Sequence, residues 1–206
     1  VGTISHPVVT EAYGRMANFL SAATAWITCG VWSTNLLACI WSIPNGANGF
    51  FFQSRFALPD ASYDNTGAST GTRVFSWLTD TTMVIVPSAD TLSNSNIAWF
   101  FRTNSSALQH ANRQFQTCNW ASKTTVDTWL PFLPQKVYDV FIFCAPQWTQ
   151  IWWRIDNVSG GTSAEWTVNT TLPTNTAFMR CGTQLFTINA LARNLRIQRL
   201  YLDGDR

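Results

Sequence analysis

Residues 148 to 166 read WTQIWWRIDNVSGGTSAEW, and the order of side chains in that stretch decides the fold class. Thr149, Ile151, Trp153 and Ile155 alternate with Trp148, Gln150, Trp152, Arg154 and Asp156. A period of two places the first set on one face of a β-strand and the second on the other. The run Asn157-Val158-Ser159-Gly160-Gly161-Thr162 then supplies residues that tolerate positive φ, so the flanking strands return on each other as an antiparallel hairpin.

The same period recurs upstream. From Gly49 to Leu58, Phe50, Phe52, Phe56 and Leu58 share a face opposite Phe51, Gln53 and Arg55. Pro59-Asp60 ends that strand, a loop dense in turn formers runs through Tyr63-Asp64-Asn65-Thr66-Gly67 to Gly71 before a strand over Val74 to Leu78, and the two strands read as a hairpin with a long surface loop. Further strands are predicted at Ile97 to Arg102, Val137 to Cys144, Thr149 to Asp156, Ala164 to Leu172, Gln184 to Ile188 and Leu195 to Leu202. Thr, Ser and Asn abound while Lys and Glu are scarce, which leaves room for a helix only near Glu11 to Ala23. The expected class is all-β, an antiparallel sandwich or barrel. At 206 residues, with no repeat or linker to divide the chain, one domain is expected. Residues 1–45 serve in it as first strands or as an oligomerisation arm, and residues 46–206 as its body.

A formal net charge of +2 offers no broad basic field for phosphates, so nucleic acid is not an expected partner. Polar residues break every apolar run well short of the roughly 18 residues that a membrane helix needs, so insertion is not expected either. The chain opens at Val1 with no leader pattern and reads as a processed or excised piece. Cys29, Cys39, Cys118, Cys144 and Cys181 are odd in number and widely spaced, which favours buried free thiols over a disulfide framework. His6 and His110 are far apart and no C-x-x-C occurs, so neither a metal site nor a cofactor is expected.

Chemistry-bearing residues are few. Asp60, Asp64, Asp80, Asp90, Asp203 and Asp205 sit beside turn formers and read as turn residues. Asp156 and Glu165 flank the Gly-Gly hairpin and are the nearest approach to the carboxylate pair that glycoside hydrolysis needs, about 5 Å apart or ~6.5–9.5 Å apart. No G-x-S-x-G elbow occurs, and the protein is expected not to be an enzyme. The polar face of residues 148 to 156 suggests a sugar platform instead. An indole of Trp148 or Trp152 can lie against a sugar ring while Gln150, Arg154 and Asp156 bond its hydroxyls. The competing reading packs this face beneath a loop or a second subunit. Trp120 and Trp129 are weaker platform candidates, whereas Trp26, Trp32, Trp41, Trp77, Trp99 and Trp166 lie in apolar runs and are assigned to the core. Eleven tryptophans exceed what one modest core needs, which points to an aromatic interface with sugar or with another copy of the chain.

Three groups of residues carry a resemblance. They are Gly49-Phe50-Phe51-Phe52-Gln53-Ser54-Arg55-Phe56 with Arg73 to Leu78; Val137 to Phe143 with Ala145-Pro146; and Trp153-Arg154-Ile155-Asp156 followed by Asn169 to Thr176 and the closing Leu200 to Arg206. In this order they resemble lectin-like jelly-roll domains of bacteriophage virion proteins, such as tail fibres, tailspikes and head fibres. The resemblance implies a concanavalin-like β-sandwich on the exterior of a phage particle, non-catalytic, with a receptor-binding or capsid-decorating role. It implies as partners a bacterial surface polysaccharide or lipopolysaccharide and other virion proteins, and a homo-oligomer, with a trimer favoured. Two alternatives remain at this point: a purely structural assembly or cement protein, and a polysaccharide depolymerase using Asp156 and Glu165.

Overall fold

The computed structural model describes residues 3–5, 15–24, 27–34, 49–61, 72–81, 96–101, 112–146, 149–174, 177–188 and 190–204. Among them run thirteen strands and no α-helix. In chain order these are β1 (Thr3–Ser5), β2 (Ala17–Leu20), β3 (Ile27–Trp32), β4 (Phe50–Leu58), β5 (Thr72–Thr79), β6 (Asn96–Phe101), β7 (Asn112–Asn119), β8 (Lys123–Pro131), β9 (Lys136–Cys144), β10 (Ile151–Asn157), β11 (Thr162–Val168), β12 (Arg180–Thr187) and β13 (Asn194–Gly204). They form two antiparallel sheets. One has seven strands in the order β1-β2-β13-β4-β9-β10-β11, and the other has six in the order β3-β12-β5-β6-β7-β8. The expected antiparallel sandwich is the observed fold.

The expected Gly-Gly hairpin is β10–β11, in register from Ile151 opposite Val168 to Asn157 opposite Thr162. Its turn works as the composition demands. The Asn157 carbonyl accepts from the N–H groups of Gly160 (3.1 Å) and Gly161 (2.9 Å), and Gly161 takes a φ of 67°. Between the sheets lies one apolar layer that includes Phe52, Phe56, Phe100, Phe115, Tyr138 and Trp153. The Trp153 indole stacks on Phe115 (centroids 5.6 Å, 29°) and meets Phe100 edge-on (5.8 Å, 84°), so β10 is tied across the gap to β6 and β7. Burial of one such aromatic contributes at most about 4–6 kcal/mol by area. A hydroxyl contact also crosses the layer, with Thr183 Oγ1 2.7 Å from Ser54, and within its own sheet Thr183 lies 3.0 Å from the Ser76 hydroxyl. The outer face of the six-stranded sheet is buried as well. Trp77 and Trp99 lie there with Phe75, Ile97, Cys118 and Phe186, in the core role assigned to both tryptophans.

Several expectations need correction. Within the segment proposed as helical, Ala17–Leu20 is a strand, because it pairs with β1 on one side and β13 on the other and buries Phe19. Residues 11–14 lie outside the described residues. β4 and β5, expected as a hairpin, belong to different sheets and do not pair with each other, and β7 and β8 have no counterpart among the predicted strands. β10 begins at Ile151, which leaves Thr149 exposed ahead of it, and β11 stops at Val168 rather than Leu172. Asp203 is a strand residue of β13 and accepts from the Tyr201 hydroxyl (3.0 Å). Asp60 and Asp80 clamp distant segments: Asp60 accepts from Asn194 N (2.8 Å) and Asp80 from Asn96 N (3.0 Å). Cys29, Cys118, Cys144 and Cys181 are buried free thiols, and burial pushes Cys29 and Cys144 up to about 12 and Cys181 up to about 11. Cys39, Asp64, Asp90, Asp205, both histidines, Trp26 and Trp41 lie outside the described residues.

Candidate functional site

The polar face of β10 is where the platform was expected. Trp148 lies outside the described residues, and Gln150 is half-buried just ahead of β10. Trp152, Arg154 and Asp156 do share the outer face of the seven-stranded sheet, each half-buried, while Ile151, Trp153 and Ile155 point into the core. Register carries that face across the sheet in three rows. The first runs Thr167, Trp152, Phe143, Phe51; the second Glu165, Arg154, Phe141, Gln53; the third Ser163, Asp156, Asp139, Arg55. Trp152 therefore continues a strip of phenyl rings, to which Phe141 and Tyr201 add contacts with Phe51 at 6.2 Å each.

The charged side chains of this face are engaged with one another. Arg154 Nε donates to Asp156 (2.8 Å) and its Nη1 to Glu165 (3.4 Å), and the bond to Asp156 raises the guanidinium pKa above its ordinary value. One row over, Arg55 binds Asp139 through both Nε (2.7 Å) and Nη2, and that bond raises the Arg55 pKa in the same way. The register sets Asp156 opposite Ser163, not Glu165, and Arg154 bridges the two carboxylates.

A second site lies where the two sheets end. β11 closes the seven-stranded sheet and β8 the six-stranded one, and these edge strands run beside each other. At one end they are clasped, with Thr124 Oγ1 3.0 Å from the Thr170 hydroxyl and 2.9 Å from that of Thr171. Beyond the clasp opens a cleft of about 540 Å³, with Val126, Leu130 and Trp153 among its walls. Trp129, 80% exposed, stands on its β8 side and Trp166, 66% exposed, on its β11 side.

Trp129 is put there by a bulge. β7 and β8 pair Gln114 with Asp127 and Asn112 with Pro131, so one β7 residue stands opposite three of β8. Asp127 Oδ1 accepts the Trp129 N–H (2.7 Å), and Trp129 takes a φ of 57°, a conformation that costs a bulky side chain about 1–3 kcal/mol. Trp166 was assigned to the core, and the structure corrects this. It has the inward parity of Ala164 and Val168, but β11 is an edge strand, and at Trp166 the wall opposite has opened into the cleft. Trp32, also assigned to the core, is 43% exposed because it lies at the end of edge strand β3, opposite Gly182 on the outer face of the six-stranded sheet. Trp120 is about half exposed and donates from Nε1 to Asp80 (3.2 Å), away from the lining of this cleft.

Among the described residues no group of three His, Cys, Asp or Glu could hold a metal ion, and no helix is long and apolar enough to cross a membrane. The cleft offers indole faces, hydroxyls of Thr162 and Ser163, and two carboxylates, Asp127 and Glu165. That inventory suits the binding of a polyhydroxylated ring.

No protein-family model matches the chain, and no curated protein matches it in sequence. Solved structures do. The chain is similar to the Ulex europaeus lectin UEA-II in complex with galactose (15% identity, TM-score 0.62, covering 100% of this chain and 91% of that one). It is similar to the winged bean acidic lectin in complex with methyl-α-D-galactose (13%, 0.59, 98% and 91%). A protein of unknown function from Shewanella oneidensis MR-1 is comparably similar (11%, 0.59, 98% and 73%). At such identities the likeness is one of fold: the chain is a lectin-like, concanavalin-type β-sandwich.

Proposed function

We propose that this chain is a non-catalytic glycan-recognition domain, carried on the exterior of a bacteriophage particle, that holds a bacterial surface polysaccharide or lipopolysaccharide in the cleft between β8 and β11. The observation that carries the reading is the pair Trp129 and Trp166. Two large indoles stand in solvent on opposite sides of one cleft, one of them at the cost of a strained backbone. The phage setting is supported by the order of the sequence motifs from Gly49 to Arg206. Both carboxylates of the cleft already hold a donor, Asp127 the Trp129 N–H and Glu165 the Arg154 guanidinium, which favours binding over hydrolysis.

A second reading, assembly, is favoured by the outer face of the seven-stranded sheet. There Trp152 continues the strip of Phe143 and Phe51, and Arg154 and Asp156 satisfy each other. Such a strip suits contact with another virion protein or with another copy in a homotrimer.

The test is calorimetric titration of host polysaccharide fragments into the intact chain and its variants. Trp129→Ala and Trp166→Ala should each weaken binding at least tenfold, about 1.4 kcal/mol, with unchanged thermal unfolding, because neither ring is packed in the core. Trp152→Ala should leave affinity unchanged and lower the mass seen by light scattering. If affinity survives both cleft variants and is lost with Trp152→Ala, the platform is the outer face after all. Release of reducing ends by the wild type would replace recognition with hydrolysis.

A further inference from the structure

We infer that the outer face of the seven-stranded sheet is self-complementary and binds a second copy of this chain, sheet against sheet, about a two-fold axis running along β9. This rests on the assembly reading of that face and is independent of glycan binding in the cleft. The first observation is topological: β9 is the middle of the five consecutive strands β13-β4-β9-β10-β11. A copy turned over about an axis parallel to β9 lays its β4 on β10 of the first chain and its β13 on β11, while every residue keeps its row. The contact uses the same patch on both chains and closes with two copies, so it makes a pair rather than a ring of three.

The second observation is that the rows match under this operation. In the first row Trp152 meets Phe51 of the second copy and Phe143 meets its own counterpart, so aromatic surface covers aromatic surface. In the second row Phe141 meets Phe141, and the guanidinium of Arg154 comes over the Gln53 amide, a donor over an acceptor. In the third, Arg55 comes over Asp156, and the exposed Arg199 of β13 comes over Ser163 of β11, one row from Glu165. Cations of β4 and β13 thus lie over anions of β10 and β11. Asp139 also meets its own counterpart, and in each chain Arg55 already neutralises it, through Nε (2.7 Å) and Nη2.

The face is of the right kind and size. Phe51, Phe141, Phe143 and Trp152 stand half-buried in the single chain, an aromatic centre with charged side chains beside it, as in the core and rim of a protein interface. Five strands at ~4.8 Å spacing, seven to eleven residues long at ~3.4 Å each, present about 700 Å² per copy, close to the ~800 Å² per partner of a standard stable interface.

The test uses the residue on the axis. Because Phe141 meets Phe141, the substitution Phe141→Glu brings two carboxylates together and Phe141→Lys two ammonium groups. Sedimentation of the intact chain over a range of concentrations should show a pair for the wild type. Either variant alone should pair at least about a hundredfold more weakly, and the two mixed in equal amounts should pair again, within about tenfold of the wild type. Thermal unfolding checks each fold, and Phe143→Glu with Phe143→Lys repeats the test at the second axial aromatic position if a variant at 141 melts early. A monomeric wild type would overturn the pairing and leave a different virion protein as the occupant of the face. A trimer would overturn the two-fold and leave the assembly reading standing. Variants that stay apart when mixed would overturn the axis along β9. A pair that survives both Phe141→Glu and Phe143→Glu would overturn the pairing and the assembly reading together, because the contact would lie on another surface.

Discussion

Trp129 shows how one residue can be readable in kind and unreadable in role. Its parity is plain: Asp127 and Trp129 fall on one face of β8, and Val126, Thr128 and Leu130 on the other. What places the indole 80% in solvent is the bulge, and a bulge depends on the partner strand β7, which a local pattern cannot supply. The Asp127 carboxylate is the local part of that device. Asp127→Ala removes the acceptor of the Trp129 N–H and should cost about 1–2 kcal/mol in urea unfolding, together with a measurable loss of saccharide affinity. Asp127→Asn keeps a side-chain oxygen at the same position and should restore most of both. Equal affinity for the Ala and Asn variants would mean that Trp129 holds its place without the aspartate. Trp166 fails in the reading for a related reason. Alternation says which face a side chain occupies and is silent on whether another sheet lies across from it.

Among the elements, those whose cause is local were legible and those that lean on distant partners were not. The β10–β11 hairpin needs only its own alternation and the Asn157 to Thr162 turn, and β4 needs only its phenylalanines. β2 is four residues long and owes its conformation to β13, far away in sequence. β7 and β8 are rich in Thr, Gln and Asn, and their largest inward residues, such as Phe115 and Leu130, are too few to mark a period. The cleft was therefore hidden: one of its two strands had not been recognised. β3 illustrates a third kind of dependence. Gly30 lies opposite Gln184 with a φ of 143°, and a Cβ there would stand 2.3 Å from the Thr183 carbonyl oxygen. Gly30→Ala should destabilise the fold by about 2–3 kcal/mol, read as a lower urea midpoint at constant slope. A midpoint equal to the wild type would show that β3 does not pair with β12 at that position.

For the molecule as a whole, the core and the cleft are one structure. Trp153 forms part of the cleft wall and stacks on Phe115, and the same apolar layer reaches Cys29, Cys144 and Cys181. These thiols couple the sandwich to pH. Burial raises them from the ordinary 9.0 to about 12 for Cys29 and Cys144 and to about 11 for Cys181, so the folded chain holds protons that the unfolded chain gives up. Below about pH 9 both states are protonated and the contribution to stability is complete. As pH climbs from 9 toward 11 and 12 the unfolded chain loses its thiol protons first, and stability falls through that window. Thermal unfolding at intervals from pH 8 to 11 should show the decline, and a Cys29→Ala, Cys144→Ala, Cys181→Ala variant should show a shallower one. Parallel slopes for the two proteins would remove the thiols as the cause. Saccharide binding should persist through this range for as long as the chain stays folded and then vanish with unfolding, because the cleft wall is also the end of the core.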